Sequence, residues 1–215
     1  MKHETLAQYY ALNAGAIESV YDKPERQADL AALRTKLPEL LRGHKVLEIA
    51  CGTGYWTRLI AATAASVHAT DVNDEAVALA RAHATAGNVT FAKADAFDLP
   101  ACAGEYTAVF AGFWWSHVKR EEQERFLAQL RAKLGKDVLL VLLDNCYVDG
   151  SSTAIARTDA EGNTYQIRTL ASGERFEIVK NFPADSYLRK KLATAVREIR
   201  IERLPYYWLL TCRLK

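Results

Sequence analysis

The sequence predicts an α/β fold. The expected architecture is a doubly wound, mostly parallel sheet with helices on both faces, an antiparallel C-terminal strand pair and a β-rich insertion after the fifth strand. Three observations carry this. Short apolar runs alternate with helical stretches from Lys45 to Leu143, the pattern of a parallel sheet covered on both faces. The run VLLVLL, Val138 to Leu143, has no polar alternation and reads as a fully buried strand. After Asn145 the rhythm changes to short β-rich segments separated by turn residues.

Each element follows in order. Thr5 to Arg42 reads as two helical pieces broken near Asp22-Lys23-Pro24, because proline suits a first helical turn. Leu30, Leu33, Leu37 and Leu40 recur at helical spacing in the second piece. Lys45 to Ala50 is a short buried strand, and Tyr55 to Ala65 an alanine-rich helix. Ser66 to Asp71 is a strand. Asp74 to Ala86 is a helix with Asn73 as N-cap and Gly87 as its stop. Strands follow at Val89 to Ala94 and Tyr106 to Gly112. A helix over Arg120 to Leu134 buries Phe126, Leu127, Leu130 and Leu134 and ends at Gly135. Ala154 to Thr158, Thr164 to Thr169 and Arg175 to Val179 form hairpins joined at Asp159–Asn163 and Ala171–Glu174. A last helix, Ala184 to Ala195, precedes strands at Glu198 to Arg203 and Tyr206 to Leu214. That pair is close enough in sequence to be antiparallel.

Composition narrows the class. The 215 residues suit one domain, 1–215, carrying an insertion over 151–182. Formal net charge is +2 and no Lys/Arg block appears, which argues against a nucleic-acid surface. No apolar run is long enough to span a bilayer. MKHETLAQYY lacks a signal-peptide core, so a cytoplasmic protein with no membrane partner is expected. Cys51, Cys102, Cys146 and Cys212 are scattered, without zinc or disulfide spacing. The oligomeric expectation is a monomer or homodimer.

The turn in LEIACGTGYW is the first chemical signal. Cys51-Gly52-Thr53-Gly54 follows a strand end, and its glycines permit a tight turn with close backbone approach to a ligand. Asp71 ends the next strand, where a carboxylate can accept both hydroxyls of a ribose. A dinucleotide fingerprint would need glycine at position 57, which is Thr57, after the bulky Tyr55 and Trp56. Glu48 beside the turn repels a phosphate and attracts an ammonium. A ligand with a ribose and a cationic amino-acid end fits both facts, and S-adenosylmethionine (SAM) is such a ligand, with S-adenosylhomocysteine (SAH) as its product.

VLEIACGTGYWT, HATDVND and VTFAKADAFDLP, in this order, resemble the class I SAM-dependent methyltransferases of small-molecule type. One departure is Ala50, where many relatives carry glycine. The resemblance implies that Gly52 and Gly54 line the amino-acid end of SAM, with Glu48 and Ala50 beside them. It implies Asp71 on the ribose, Val72 on the adenine face, and Asp95, Ala96 and Phe97 around the adenine edge. Gly112 and Phe113 would border the sulfonium. In similar enzymes N-terminal helices close over the cofactor, so residues 1–43 are expected to form a lid, with Tyr9 and Tyr21 touching SAM and Tyr10 the acceptor.

The acceptor is read from AGFWWSHVKR. It lacks the Asp/Asn-Pro-Pro-aromatic motif of nucleic-acid amino-methyltransferases. Trp114 and Trp115 are expected to wall a small, aromatic or heteroaromatic O-, N- or S-acceptor. His117 is the candidate general base, its ordinary pKa lying near neutrality; ordinary helix capping is its bland alternative. Tyr147, Tyr165 and Arg168 are the insertion groups expected to face the acceptor, if the insertion walls the site rather than pairing across a dimer. Asp144-Asn145 resembles a pair in metal-dependent catechol-type enzymes, but those carry a further acid where this chain has Gly112 and Phe113. A metal-free reaction is therefore expected. The alternatives are a nicotinamide oxidoreductase and a non-catalytic Rossmann-like binding module.

Overall fold

The computed structural model describes residues 2–84, 86–100 and 105–215; Cys102 lies outside them. The elements are α1 (Lys2–Asn13), α2 (Gln27–Leu40), β1 (Lys45–Ile49), α3 (Tyr55–Ala61), β2 (Ser66–Asp71), α4 (Asp74–His83), β3 (Val89–Lys93), β4 (Ala108–Gly112), α5 (Gln123–Leu134) and β5 (Leu139–Asn145). There follow β6 (Ile155–Thr158), β7 (Thr164–Thr169), β8 (Arg175–Val179), α6 (Asp185–Leu192), β9 (Val196–Arg203) and β10 (Tyr207–Leu214). Short 3-10 turns occupy Ile17–Tyr21, Pro24–Arg26 and Trp115–His117.

Seven strands form one sheet in the order β3-β2-β1-β4-β5-β10-β9. β1 to β5 are parallel, and β10 runs antiparallel to both β5 and β9. The expected doubly wound sheet with an antiparallel finish is therefore present. The last strand lies inside the sheet rather than at its edge. Its run WLLTCRL explains this: Trp208, Leu210, Cys212 and Leu214 are buried on one face and Leu209 on the other. β9 is the edge, and its mostly exposed residues alternate charged side chains, which discourages edge-to-edge pairing.

Period-2 alternation sends each strand's side chains into two cores. Leu47, Ile49, Val109, Ala111, Leu140 and Leu142 meet Phe126, Leu127, Leu130 and Leu134 of α5. Val46, Val67, Phe110, Val141 and Leu143 meet Leu30, Leu33 and Leu37 of α2 with Trp56 and Ile60 of α3. α3 is shorter than expected because the chain turns at Thr63, whose hydroxyl donates to the Pro38 carbonyl at 2.5 Å. At α4 the N-cap position of Asn73 is correct, but its side chain makes no cap bond; Asp71 accepts from the Asn73 amide instead. Gly135 ends α5 with φ 88°, as its position predicts.

The insertion is a separate three-stranded antiparallel sheet, β6-β7-β8. It packs on α1, with Tyr9 against Phe176 at a ring separation of 5.8 Å and Ile178 beside them. α1 and the insertion thus sit together above the carboxyl ends of the parallel strands. The strand order reverses between β1 and β4, the place where open α/β sheets bind ligands.

Candidate active site

A cavity of about 640 Å³ opens at that reversal, a size suited to a small-molecule ligand. One half is built by β1, β2, β3 and β4 and their loops. Glu48, Ala50, Gly52, Asp71 and Val72 line it, followed by Asp95, Ala96, Gly112, Phe113 and Trp114. Tyr9, Tyr10 and Tyr21 line it from the N-terminal segment, and His117 and Arg168 from the far side. The structure therefore gathers fifteen of the sequence-predicted residues around one space.

The loop after β1 explains its composition. Gly52 has φ 56°, and a β-carbon there would meet nothing within 4 Å, so its backbone faces open cavity. Asp71 Oδ2 accepts from the Gly52 amide and Oδ1 from the Asn73 amide, both at 2.9 Å. The carboxylate is thus fixed by backbone at the cavity wall, with acceptor capacity left over. Burial pushes the Asp71 carboxyl up, and these amides offset that in part. Glu48 is 2% exposed, and its Oε2 has no partner. Burial pushes its pKa up to about 8, with Asp71 adding to the rise and the Thr57 hydroxyl opposing it. A buried carboxyl with an unpartnered oxygen beside a cavity is the group an ammonium would satisfy. Val72 is 42% exposed and offers an apolar face. Asp95 accepts from the Phe97 amide at 2.8 Å and still lines the cavity. These residues fit the amino-acid, ribose and adenine parts of SAM.

Two cavity-lining residues occupy left-handed backbone without being glycine, Ala50 at φ 56° and Phe113 at φ 59°. For Phe113 this conformation is a strain that the surrounding structure must impose; its amide donates to the Leu143 carbonyl at 2.6 Å. The twist turns the Phe113 ring back toward Tyr21 and Tyr207.

Five expected residues do not line the cavity. Gly54 faces α4: a β-carbon there would meet the Ala80 side chain at 3.1 Å, so the glycine allows helix packing rather than ligand approach. Phe97 packs against Trp114 and Phe126, with the Arg125 guanidinium 4.7 Å above its ring. Trp115 is fully buried against Phe126, because the 3-10 turn sends it into the core and His117 toward the cavity. Tyr147 lies in a separate shallow groove, its ring against Phe182. Tyr165 points to the other face of β7 from Arg168, since the two differ by an odd number of positions. There its hydroxyl donates to Asp159 at 2.8 Å under the Arg157 guanidinium.

The far side of the cavity contains groups that the sequence did not reveal. Lys180, 4% exposed, lines the cavity just beyond β8. Its Nζ donates to Asp144 Oδ1 at 3.0 Å and to Ser116 Oγ at 2.7 Å. Asp144 is fully buried and also accepts from the amides of Ser116 and Asn145. Burial raises the Asp144 pKa, but Lys180, His117 and the two amides more than offset it, so the carboxyl sits below its usual range. Lys180 is pulled down by burial and held up by Asp144. A signal existed: Phe176, Ile178 and Lys180 share one parity, so the alternation of β8 pointed this lysine inward.

His117 does not stand free. Its Nδ1 lies 2.6 Å from the Val179 carbonyl and its Nε2 2.9 Å from the Tyr10 hydroxyl. A carbonyl only accepts, so Nδ1 carries the proton and Nε2 accepts from Tyr10. Burial, with Lys180 nearby, pushes its pKa down to about 3. Burial likewise pushes the Tyr10 hydroxyl above its usual range.

Known proteins share this fold. Residues 46–137 match a family model described as a methyltransferase domain. The structure described as a DhpI–SAH complex is 30% identical, covers 98% of this chain and 96% of its own, and superposes with a TM-score of 0.76. A DhpI–SAM–HEP complex is 29% identical over the same shares, with a TM-score of 0.81. A SAM-dependent methyltransferase from Mesorhizobium loti, 18% identical over 86% of this chain and 97% of its own, shares the fold with a TM-score of 0.60. No curated protein sequence matches the chain significantly. With SAM as its cofactor, the chain belongs to the class I SAM-dependent methyltransferases.

Proposed function

We propose that the chain methylates an O, N or S atom of a small molecule held between the β4 loop and the insertion, in the cytoplasm and without a metal ion. The observation that carries this reading is the shape of the cavity. Its cofactor half ends at Gly112 and Phe113, and its other half continues to Tyr10, Arg168 and Lys180. Phe113 and Trp114 offer an apolar wall for a flat or apolar acceptor body, and the insertion offers a polar wall for its reacting end.

When bound, SAM supplies a methyl group already activated by a sulfonium. The residues then have four tasks. Glu48, Gly52 and Asp71 hold the donor. Tyr10 and Arg168 orient the acceptor. α1 and the insertion exclude water. The Lys180–Asp144 pair fixes the charge beside the acceptor. In-line displacement gains most of its rate from such positioning. Asp144 favours the metal-free reading because its oxygens are committed to Lys180 and two amides. Free thiols at Cys51, Cys146 and Cys212 suit a reducing compartment.

The experiment is SAH formation from SAM across a panel of phenols, thiols, heteroaromatic amines, carboxylates and phosphate-type acids. Turnover with one small acceptor, unaffected by a chelator, is expected. Turnover only with a nucleic acid or only with added magnesium would contradict the reading.

A further inference from the structure

We propose that the acceptor's reacting end is an oxyanion, a carboxylate or a tetrahedral phosphate-type group, recognised by Lys180 and Arg168 where the insertion meets the ends of β4 and β5. This rests on the methyl-transfer reading above and names its substrate class.

The charges on the acceptor side do not balance. Lys180 and Arg168 both line the cavity. Asp144 answers Lys180 at 3.0 Å. Among the described residues Arg168 donates to neutral oxygens, Thr153 Oγ1 and Gln166 Oε1, each at 2.8 Å. Arg26, 7% exposed and also in the wall, donates to Ser151 and Asn145 and lies over the Tyr206 and Tyr207 rings, with Glu25 linked to it through the Ser151 hydroxyl, so the unanswered charge is that of Arg168. Gathering cations in a partly desolvated wall is costly unless an anion completes them. An ammonium has three N–H donors, and Lys180 spends two on Asp144 and Ser116. A guanidinium has five, and Arg168 spends two. The remaining donors suit the oxygens of a carboxylate or phosphate-type group. The acids across the cavity, Glu48 and Asp71, stand on β1 and β2 at the cofactor end and do not neutralise this side.

The chemistry agrees. An ionised oxygen needs no base, and His117, the acceptor-side imidazole, has both ring nitrogens committed. A lone pair of the acceptor oxygen forms the O–C bond as the methyl–sulfur bond breaks. The sulfur keeps that bond's electron pair, and no proton moves. Anion and sulfonium become an ester, with one negative charge fewer, and a thioether. Negative charge on the acceptor therefore falls toward the transition state. Lys180 and Arg168 hold the ground state at least as strongly as the transition state, so their loss should appear mainly in KM.

The test uses the full chain saturated with SAH, so that the cofactor's own carboxylate is already in place. Binding of inorganic phosphate, acetate and neutral acetamide is measured by calorimetry in wild type, Arg168→Gln, Lys180→Met and the pair Lys180→Met with Asp144→Asn. The double variant leaves no unpaired buried acid, so it reports even if Lys180→Met alone misfolds. At least one of phosphate and acetate should bind the SAH complex, and acetamide should not. Each variant should weaken that binding by about tenfold or more while SAH affinity is kept. Preference for phosphate assigns a tetrahedral acceptor, preference for acetate a carboxylate. Normal SAH binding with no oxyanion binding would overturn the proposal and leave the methyltransferase reading standing. Equal weakening of SAH and oxyanion would assign the two cations to the cofactor carboxylate and also overturn it. Failure of wild type to bind SAH would instead strike the methyl-transfer reading.

Discussion

The Tyr10 hydroxyl donates to His117 Nε2 across 2.9 Å, tying α1 to the loop after β4. The same ring donates from Nδ1 to the Val179 carbonyl at the end of β8. One neutral imidazole therefore joins the N-terminal segment, the sheet and the insertion around the cavity.

A base whose lone pair is occupied and whose pKa is pushed to about 3 is poorly matched to neutral-pH proton transfer. The expected pH profile of kcat has no limb near 6.5 that His117→Asn removes. Nitrogen NMR should show the Nδ1–H tautomer at about pH 7. A neutral-pH limb abolished by His117→Asn would restore the general-base role.

His117 also has a stability consequence. Its folded pKa lies below its unfolded value near 6.5, so between about 6.5 and 3 the unfolded chain binds the extra proton. Stability is full above that window and falls as pH drops through it, by at most about 1.4 kcal/mol per pH unit. Denaturant melts of wild type and His117→Asn between about pH 7 and 5 should show a shallower slope in the variant. Parallel slopes would mean that the ring is not held neutral.

Glu48 gives a prediction about SAM itself. In the free protein burial holds its carboxyl protonated up to about 8. An ammonium beside the unpartnered Oε2 favours the carboxylate. SAM binding below about pH 8 should therefore release up to one proton, and affinity should rise with pH until about 8 and then level. Calorimetry in two buffers of different ionisation enthalpy reads the proton, and Glu48→Gln should abolish its release. Proton uptake, or release unchanged in the variant, would contradict the assignment.

Ala50 reports on the strained turn. A left-handed alanine costs on the order of 1 kcal/mol, which Ala50→Gly relieves while adding unfolded-state freedom. That variant should melt within about 0.5 kcal/mol of wild type. Ala50→Val, β-branched in the same conformation, should lose about 2 kcal/mol or more. Equal stability of the two would show that the turn does not hold φ near 56°.

The cofactor half was legible because its signals are local. A glycine turn at a strand end and an acid at the next strand end fix positions within a few residues. The acceptor half depends on distant packing. Lys180 meets Asp144 and Ser116 only after the insertion folds back over the sheet. Trp114 and Trp115 look equivalent in sequence, yet the 3-10 turn separates them into wall and core. Tyr165 and Arg168 could not both face one cavity from the same strand, which parity alone could have shown. β10 takes an interior place through apolar residues on both faces, a pattern shared by any buried strand.

Calorimetric titration of the protein with SAM, SAH and NAD at one pH and salt, with Asp71→Ala alongside, decides whether the cavity is a SAM site. SAM and SAH should bind and NAD should not. Asp71→Ala should weaken both sulfur ligands by about tenfold to a hundredfold, the worth of hydrogen bonds to a charged group, while the variant remains folded. Binding of NAD without SAM, or SAM affinity untouched in a folded Asp71→Ala, would contradict the SAM assignment at its foundation.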